Sequence, residues 1–325
     1  MRTWPGGRRA ESASLLATPH HMFALSTHWN AKRHLRGEAM IQEILDLGFQ
    51  SVELGYDLRL DLVPGVQQMI RAGAVCAPSV HNFCPIPMGV TTGSPEVFTF
   101  AHPDPRVRSG AVEHTRRTVQ FAASVGAKVV VVHGGYMDAP RISDTLFSLL
   151  ADPQSPRGEF DRQRSRLQDA REKHAPRQVE HLVRGLEELL PTLQETGVAL
   201  ALENLPAWEA VPNELEMEKL FLRFNSPFLG YWHDTGHGQI RENLGFINQE
   251  RWLQRLKPWL KGMHVHGVRF PATDHVMPPA GDMQFDFLRP YVSAHLPLVL
   301  EPTPRATPDE IRGALAFFRQ IWELA

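Results

Sequence analysis

Cysteine is almost missing from this chain of 325 residues: Cys76 and Cys84 are the only two. Two cysteines build no disulfide framework, which excludes a small cross-linked secreted scaffold and leads us to expect a reducing, cytoplasmic setting. A surplus of either charge is also missing. Thirty-four Lys and Arg stand against 36 Asp and Glu, a net charge of −2, so no overall positive field marks nucleic acid as a partner. No apolar run approaches the roughly 20 residues of a membrane span, and no membrane partner is expected. The first twenty residues carry Arg8 and Arg9 but neither a continuous apolar stretch nor a convincing cleavage site, so residues 1–21 read as a loose N-terminal tail and not as a leader. Finally, no glycine-rich phosphate turn follows any apolar run, which argues against a dinucleotide-binding open sheet.

What the chain does have is an apolar fraction of 42%, ample for a buried core, and a regular alternation of two periodicities. Strand-like runs fall at Met22–Ser26, Phe49–Leu54, Ala74–Val80, Lys128–Val132, Val198–Leu202, Phe228–His233, Met263–His266 and Leu296–Leu300. Helical spacing falls between them, at Gly37–Leu47, Leu62–Ile70, Val107–Val125, Val179–Glu195, Glu214–Phe224, Gln249–Trp259, a short Phe285–Val292 and Pro308–Leu324. Residues 267–284 read as a Pro/Gly-rich loop. Residues 137–177 are polar, with Pro140, Pro153, Pro156 and Pro176 and an arginine run (Arg157, Arg162, Arg164, Arg166, Arg171). They read as a partly helical insertion after the fourth strand, its arginines on a solvated face. Strict strand–helix alternation implies an all-parallel sheet with right-handed crossovers, and eight units close most economically. The expected fold is α/β: a (β/α)8 TIM barrel formed by residues 22–325 as one domain.

A barrel gathers the carboxyl ends of its strands on one face, where active sites sit. Those ends carry Glu53, His81, His133, Glu203, Asp234, His264 and Glu301, with His237 just beyond. One strand-end His or Glu is ordinarily a satisfied polar residue. Several carboxylates and imidazoles converging on one cavity would be costly without a cation, so a divalent metal is expected, of a kind that accepts mixed oxygen and nitrogen donors. Glu203 or Glu301 is the natural base for a proton on carbon. Glu53 ends the second strand and reads either as a group that orients a ligand or binds substrate, or as a structural carboxylate paired to Arg or Lys. Trp29, Trp208 and Trp232 lie near strand ends and could wall a sugar pocket, with packing an equal explanation. His28 and Asn82 share the same face, and Arg241 and Arg269 follow strands of it. His266 alternates away from His264 along the strand and reads as structural. Cys84 lacks a His–acid partner, so it is not expected to act as a nucleophile.

These motifs resemble the xylose isomerase-like TIM-barrel superfamily of sugar isomerases and epimerases and endonuclease IV-like proteins. The resemblance spans residues 22 to 324. It implies that Glu203 (in Leu202-Glu203-Asn204), Asp234, His264 (in Gly262-Met263-His264) and Glu301 (in Leu300-Glu301-Pro302) hold one metal, with the two glutamates as acid/base groups on opposite faces of the substrate carbon. From the nuclease branch it implies further ligands, His81, His133, His237 (in Asp234-Thr235-Gly236-His237) and, beside Asp274, His275. Departures from that branch are the adjacent Asp274-His275, His133-Gly134-Gly135 and Glu203-Asn204-Leu205-Pro206-Ala207. The implied function is a metal-dependent isomerase or epimerase, or a related lyase, of a sugar or polyol. The alternative is a multinuclear phosphodiesterase. One to three ions, Zn or Mn, are implied, with Trp29, Asn82, Trp208 and Arg269 at the substrate, and a homo-oligomer is compatible with either reading.

Overall fold

The structure, a computed structural model, describes residues 23–293 and 295–323; the expected 1–21 tail lies outside them. Among the described residues eight parallel strands close into a barrel. They are β1 (Phe23–Ser26), β2 (Ser51–Leu54), β3 (Cys76–His81), β4 (Val129–Val132), β5 (Ala199–Glu203), β6 (Leu229–Asp234), β7 (Leu260–Val265) and, after a hairpin of β8 (Gly267–Arg269) and β9 (Thr273–Val276), β10 (Leu298–Leu300). β1 pairs β2 on one side and β10 on the other, which removes both sheet edges.

Strand periodicity sorts the core into two layers. One set of residues, including Leu25, Val52, Val130, Leu200 and Leu300, packs against the surrounding helices. Their alternates Ala24, Val129, Val131, Ala201, Trp232 and Val299 form a separate small cluster that fills the barrel. Trp232 supplies most of that filling, so its neighbours are small. A Cβ on Gly262 would stand 2.1 Å from the Trp232 ring. Trp232 is therefore packing, not a pocket wall.

The outer helices are α1 (Gly37–Leu45), α2 (Val63–Arg71), α3 (Pro105–Ser124), α4 (Ile142–Ala151), α5 (Arg157–Thr196), α6 (Glu214–Phe224), α7 (Thr235–Asn243), α8 (Gln249–Leu256) and α9 (Pro308–Ile321). Three expectations need correcting. The 137–177 insertion and the helix expected from Val179 are not separate: α5 is one helix of 40 residues that runs through Pro176 and Pro191. An interior proline loses a hydrogen bond and strains the preceding turn. Packing compensates, because Leu167 and Ala175 join a satellite cluster over the barrel while Leu182, Leu186, Leu189 and Leu193 join the main core. Helix α7 is absent from the sequence expectation, since Gly236 and Gly238 blur its periodicity. The 267–284 loop contains the β8–β9 hairpin.

Candidate metal centre

The registers that close the barrel also set the level of its strand-end side chains. Asp234 lies opposite His264, and Glu203 opposite Trp232. From these positions Glu203, Asp234, His264 and Glu301 bring one donor atom each to within 4.8 Å of one another, and all four are buried. His81, His133 and Glu203 form an adjoining group on the same criterion. Glu203 belongs to both, one oxygen 3.2 Å from His264 Nδ1 and the other 3.1 Å from His81 Nε2 and 3.2 Å from His133 Nε2.

The Asp234-Thr235-Gly236-His237 motif is a strand-to-helix junction in which each residue has a separate task. Asp234 caps α7 by accepting the His237 backbone N–H on Oδ1 at 2.7 Å, which leaves Oδ2 facing inward. Thr235 Oγ1 donates to His266 O at 2.7 Å and accepts from His266 N, locking the end of β7. Gly236 is required because a Cβ there would stand 2.2 Å from His266 Cε1. His237 then projects from the first turn. Asn204 straps the neighbouring strand: its Nδ2 donates to Asp234 O and its Oδ1 accepts from Asp234 N.

His81, His133 and His264 are arranged as metal ligands can be, with the outward nitrogen engaged and the inward one directed at Glu203. His264 Nε2 faces Glu53 Oε1 at 3.0 Å, and its Nδ1 faces Glu203, Glu301 (3.3 Å) and Asp234 (3.7 Å). Glu53 is itself fixed by Ser79 Oγ at 2.8 Å. Its partner is therefore a histidine and not an Arg or Lys. His133 Nδ1 faces Glu96 Oε1 at 3.2 Å. His81, His237 and His275 direct Nδ1 to backbone oxygens, those of Asn82 (3.1 Å), Asn204 (2.9 Å) and Glu301 (2.9 Å). His275 holds φ at 52°, uncommon for a non-glycine residue. Asp274 also approaches, its Oδ2 3.8 Å from His237 Nε2.

His266 belongs at this face, contrary to the sequence expectation, because strand alternation no longer governs a residue beyond the end of β7. Its Nε2 lies 2.9 Å from Asp234 Oδ2, while its Nδ1 accepts the His275 backbone N–H at 2.9 Å. Although it lies close to His237 and His275, both its nitrogens are engaged, so it orients Asp234 and is not a free ligand. Sequence reasoning also missed Glu96. It lies on the long loop after β3, where no periodicity marks it, and also accepts from Tyr136 OH at 2.6 Å.

The electrostatics are those of a cation site. Burial disfavours the His133 and His237 imidazolium ions. The carboxylates of Glu203 and Glu96 around the first, and of Asp234 and Glu203 around the second, outweigh it and lift the two rings to about 9 and about 10. Burial opposes a charge on His264 as well, yet Glu301, Glu53 and Glu203 raise it well above its usual value. Burial would raise the Glu203 carboxyl, but the His264 charge and hydrogen bonds from His133, His237 and His264 hold it well below the usual range. Carboxylates that hold protons on inward-facing imidazoles can hold a divalent cation in their place. The donor set fits such an ion.

The four expected substrate contacts are less uniform. Arg269 is exposed and, with His275, Thr303 and Arg305, lines a cavity of about 760 Å³ at the barrel mouth. Trp29 is buried, donating from its indole to Ala306 O at 2.8 Å beneath the Arg33 guanidinium. Trp208 stacks on Phe246 with ring centres 4.4 Å apart, and Asn82 donates to Thr115 Oγ1 at 2.8 Å. The structure thus gives three of the four packing or hydrogen-bonding partners within the protein.

Known structures share this architecture. A D-tagatose 3-epimerase-like protein matches with a TM-score of 0.67 at 16% identity, over 93% of this chain and 97% of that one. The 3-keto-D-glucoside 4-epimerase of E. coli matches at 0.65 and 16%, over 92% and 99%, and an L-ribulose 3-epimerase at 0.66 and 14%, over 93% and 94%. At such identities the likeness is one of fold. No curated protein matches the chain. The family model described as xylose isomerase-like TIM barrel matches residues 41–321, and the chain belongs to that family.

Proposed function

We propose that the protein is a divalent-metal-dependent isomerase or epimerase, or a related lyase, acting on a sugar or polyol. The observation that carries this reading is the buried quartet of Glu203, Asp234, His264 and Glu301, whose donor atoms share one small volume. A sugar substrate is supported by the epimerases among the solved structures of this fold. A bound Zn or Mn ion would polarise a carbonyl or vicinal hydroxyls of the substrate. The protein's own groups move the proton: Glu203 or Glu301 takes it from the carbon beside the carbonyl, and the other carboxyl group returns one. Return to the opposite face inverts that carbon, and return to the neighbouring carbon isomerises the sugar. His237 and Arg269 would hold substrate oxygens. We assign the protein to the cytoplasm on its low cysteine content, Cys76 and Cys84 in 325 residues. No described helix is long and apolar enough to cross a membrane.

The test is exchange of solvent deuterium into a panel of ketoses by metal-loaded protein. Exchange into at least one, abolished in Glu203→Gln without loss of fold, supports the reading. A loaded protein that exchanges no ketose would overturn it. A second reading, a multinuclear metal-dependent phosphodiesterase, is favoured by one observation, the extra donors His81 and His133 beside Glu203. It requires two or three equivalents of metal and incision of a duplex carrying an abasic site.

A further inference from the structure

A small cavity of about 150 Å³ lies between α3 and α5. Phe100 and Gly185 allow the two helices to close beneath it: a Cβ on Gly185 would stand 2.6 Å from the Phe100 ring. Its polar lining is Arg108 and Ser109 from α3, with His181, Arg184 and Glu188 from α5. Two guanidinium groups therefore face one carboxylate. Arg108 is held in place by donating from Nη1 to His102 O and Pro103 O, at 2.7 and 2.8 Å. Among the described residues it has no ion pair. Arg184 reaches Glu180 only at 3.4 Å, and Arg223 draws on the same carboxylate.

His181 lies in the same lining, its Nδ1 covered by the surrounding protein. Burial and the charges of Arg108, Arg177 and Arg184 together push the His181 imidazole down. An incoming negative charge would relieve this repulsion.

We propose that this cavity binds a tetrahedral oxyanion, a phosphate or phosphoryl group, held by Arg108, Arg184 and the Ser109 hydroxyl, with the His181 imidazole beside it. Arginine forks suit such an anion, and the cavity is of a size for one. The site is independent of the metal centre but not remote from its supports. Ala101, beside Phe100, donates its backbone N–H to Gly134 O at 3.0 Å, next to His133. An anion here would brace the start of α3 and the loop that carries Glu96.

The test is phosphate binding by the full chain, read by calorimetry and by the NMR titration of His181. Inorganic phosphate is expected to bind saturably and to move the His181 midpoint upward by about one pH unit. Glycerol phosphate in a parallel arm distinguishes a phosphomonoester from the free ion, according to which binds more tightly. Arg184→Gln, at an exposed position, is expected to weaken either by about tenfold, one charge-assisted hydrogen bond. Arg108→Ala is a second variant, though it also loosens the loop, so Arg184→Gln is the deciding one. The proposal fails if chloride at equal ionic strength moves His181 as far as phosphate does. It fails equally if Arg184→Gln binds phosphate as the parent does.

Discussion

Glu53 shows how much one residue outside the ligand set can control. It sits two positions before the turn that follows β2, fully buried, and accepts from Ser79 while facing His264 Nε2. That contact fixes which ring nitrogen of His264 points inward, the role of the second layer around a metal. Glu53→Gln keeps the shape and removes the charge. We expect metal affinity to fall about 10- to 100-fold with the fold intact, measured by competition with a chromophoric chelator beside circular dichroism. Unchanged affinity would make Glu53 a packing residue only. Glu203→Gln should be harsher, because one carboxylate faces His81, His133, His237 and His264 together.

Among the elements, the join between α1 and the loop after β1 gives a clean dependence on pH. Glu43 accepts from Asn30, Arg33 and His34 at 3.0, 2.8 and 2.7 Å. Burial alone would raise its carboxyl, but hydrogen bonds from Arg33, His34 and Asn30 prevail and lower it from 4.5 to about 2. A folded-state value below the unfolded one contributes stability that is present above the unfolded value and lost as pH falls through the folded one. The melting temperature of Glu43→Gln should therefore lie below that of the parent at neutral pH, with the gap closing between pH 4.5 and about 2. A gap independent of pH would remove the ion pairs from the explanation. Helix α5 makes a second join. Arg171, nearly fully buried, donates to Trp208 O, to Ala210 O at 2.7 Å and to Glu216. Arg171→Ala removes the donor to the Trp208 and Ala210 carbonyls and the charge beside Glu216, and should cost about 3 kcal/mol, read by urea unfolding.

These joins also show what the sequence could reveal. The barrel strands and α6 are legible because each carries a full local signal. For α6 that is Asn213 and Glu216 capping a periodic run. The strand-end cluster follows, since topology alone sends those residues to one face. Helix α7 is hidden by the glycines that make room for His266 and Gln249. The extent of α5 is hidden by Pro176, whose local effect is overridden by packing that involves residues far along the chain. Glu96 and His266 depend on loop conformation, and no periodicity reports that.

At the scale of the whole molecule, a cation at the quartet would bind the folded barrel and not the unfolded chain, since its donors come from four different strands or their ends. Free metal at 100 times its dissociation constant should then add about 2.7 kcal/mol to stability. Chelation should lower the melting temperature and readdition restore it, as differential scanning calorimetry can follow. An identical melting curve with and without metal would refute a bound ion in the fold. The metal content of the loaded protein then separates one equivalent from the two or three that His81 and His133 would support.

Helix α5 is a rod about 60 Å long, and its two halves rest on different bodies. The later half is laid into the main core. The earlier half, through Arg171, grips the backbone five and seven residues beyond Glu203. A beam gripped at both places passes displacement along its length, so a shift of its earlier half would be felt in the segment that follows Glu203.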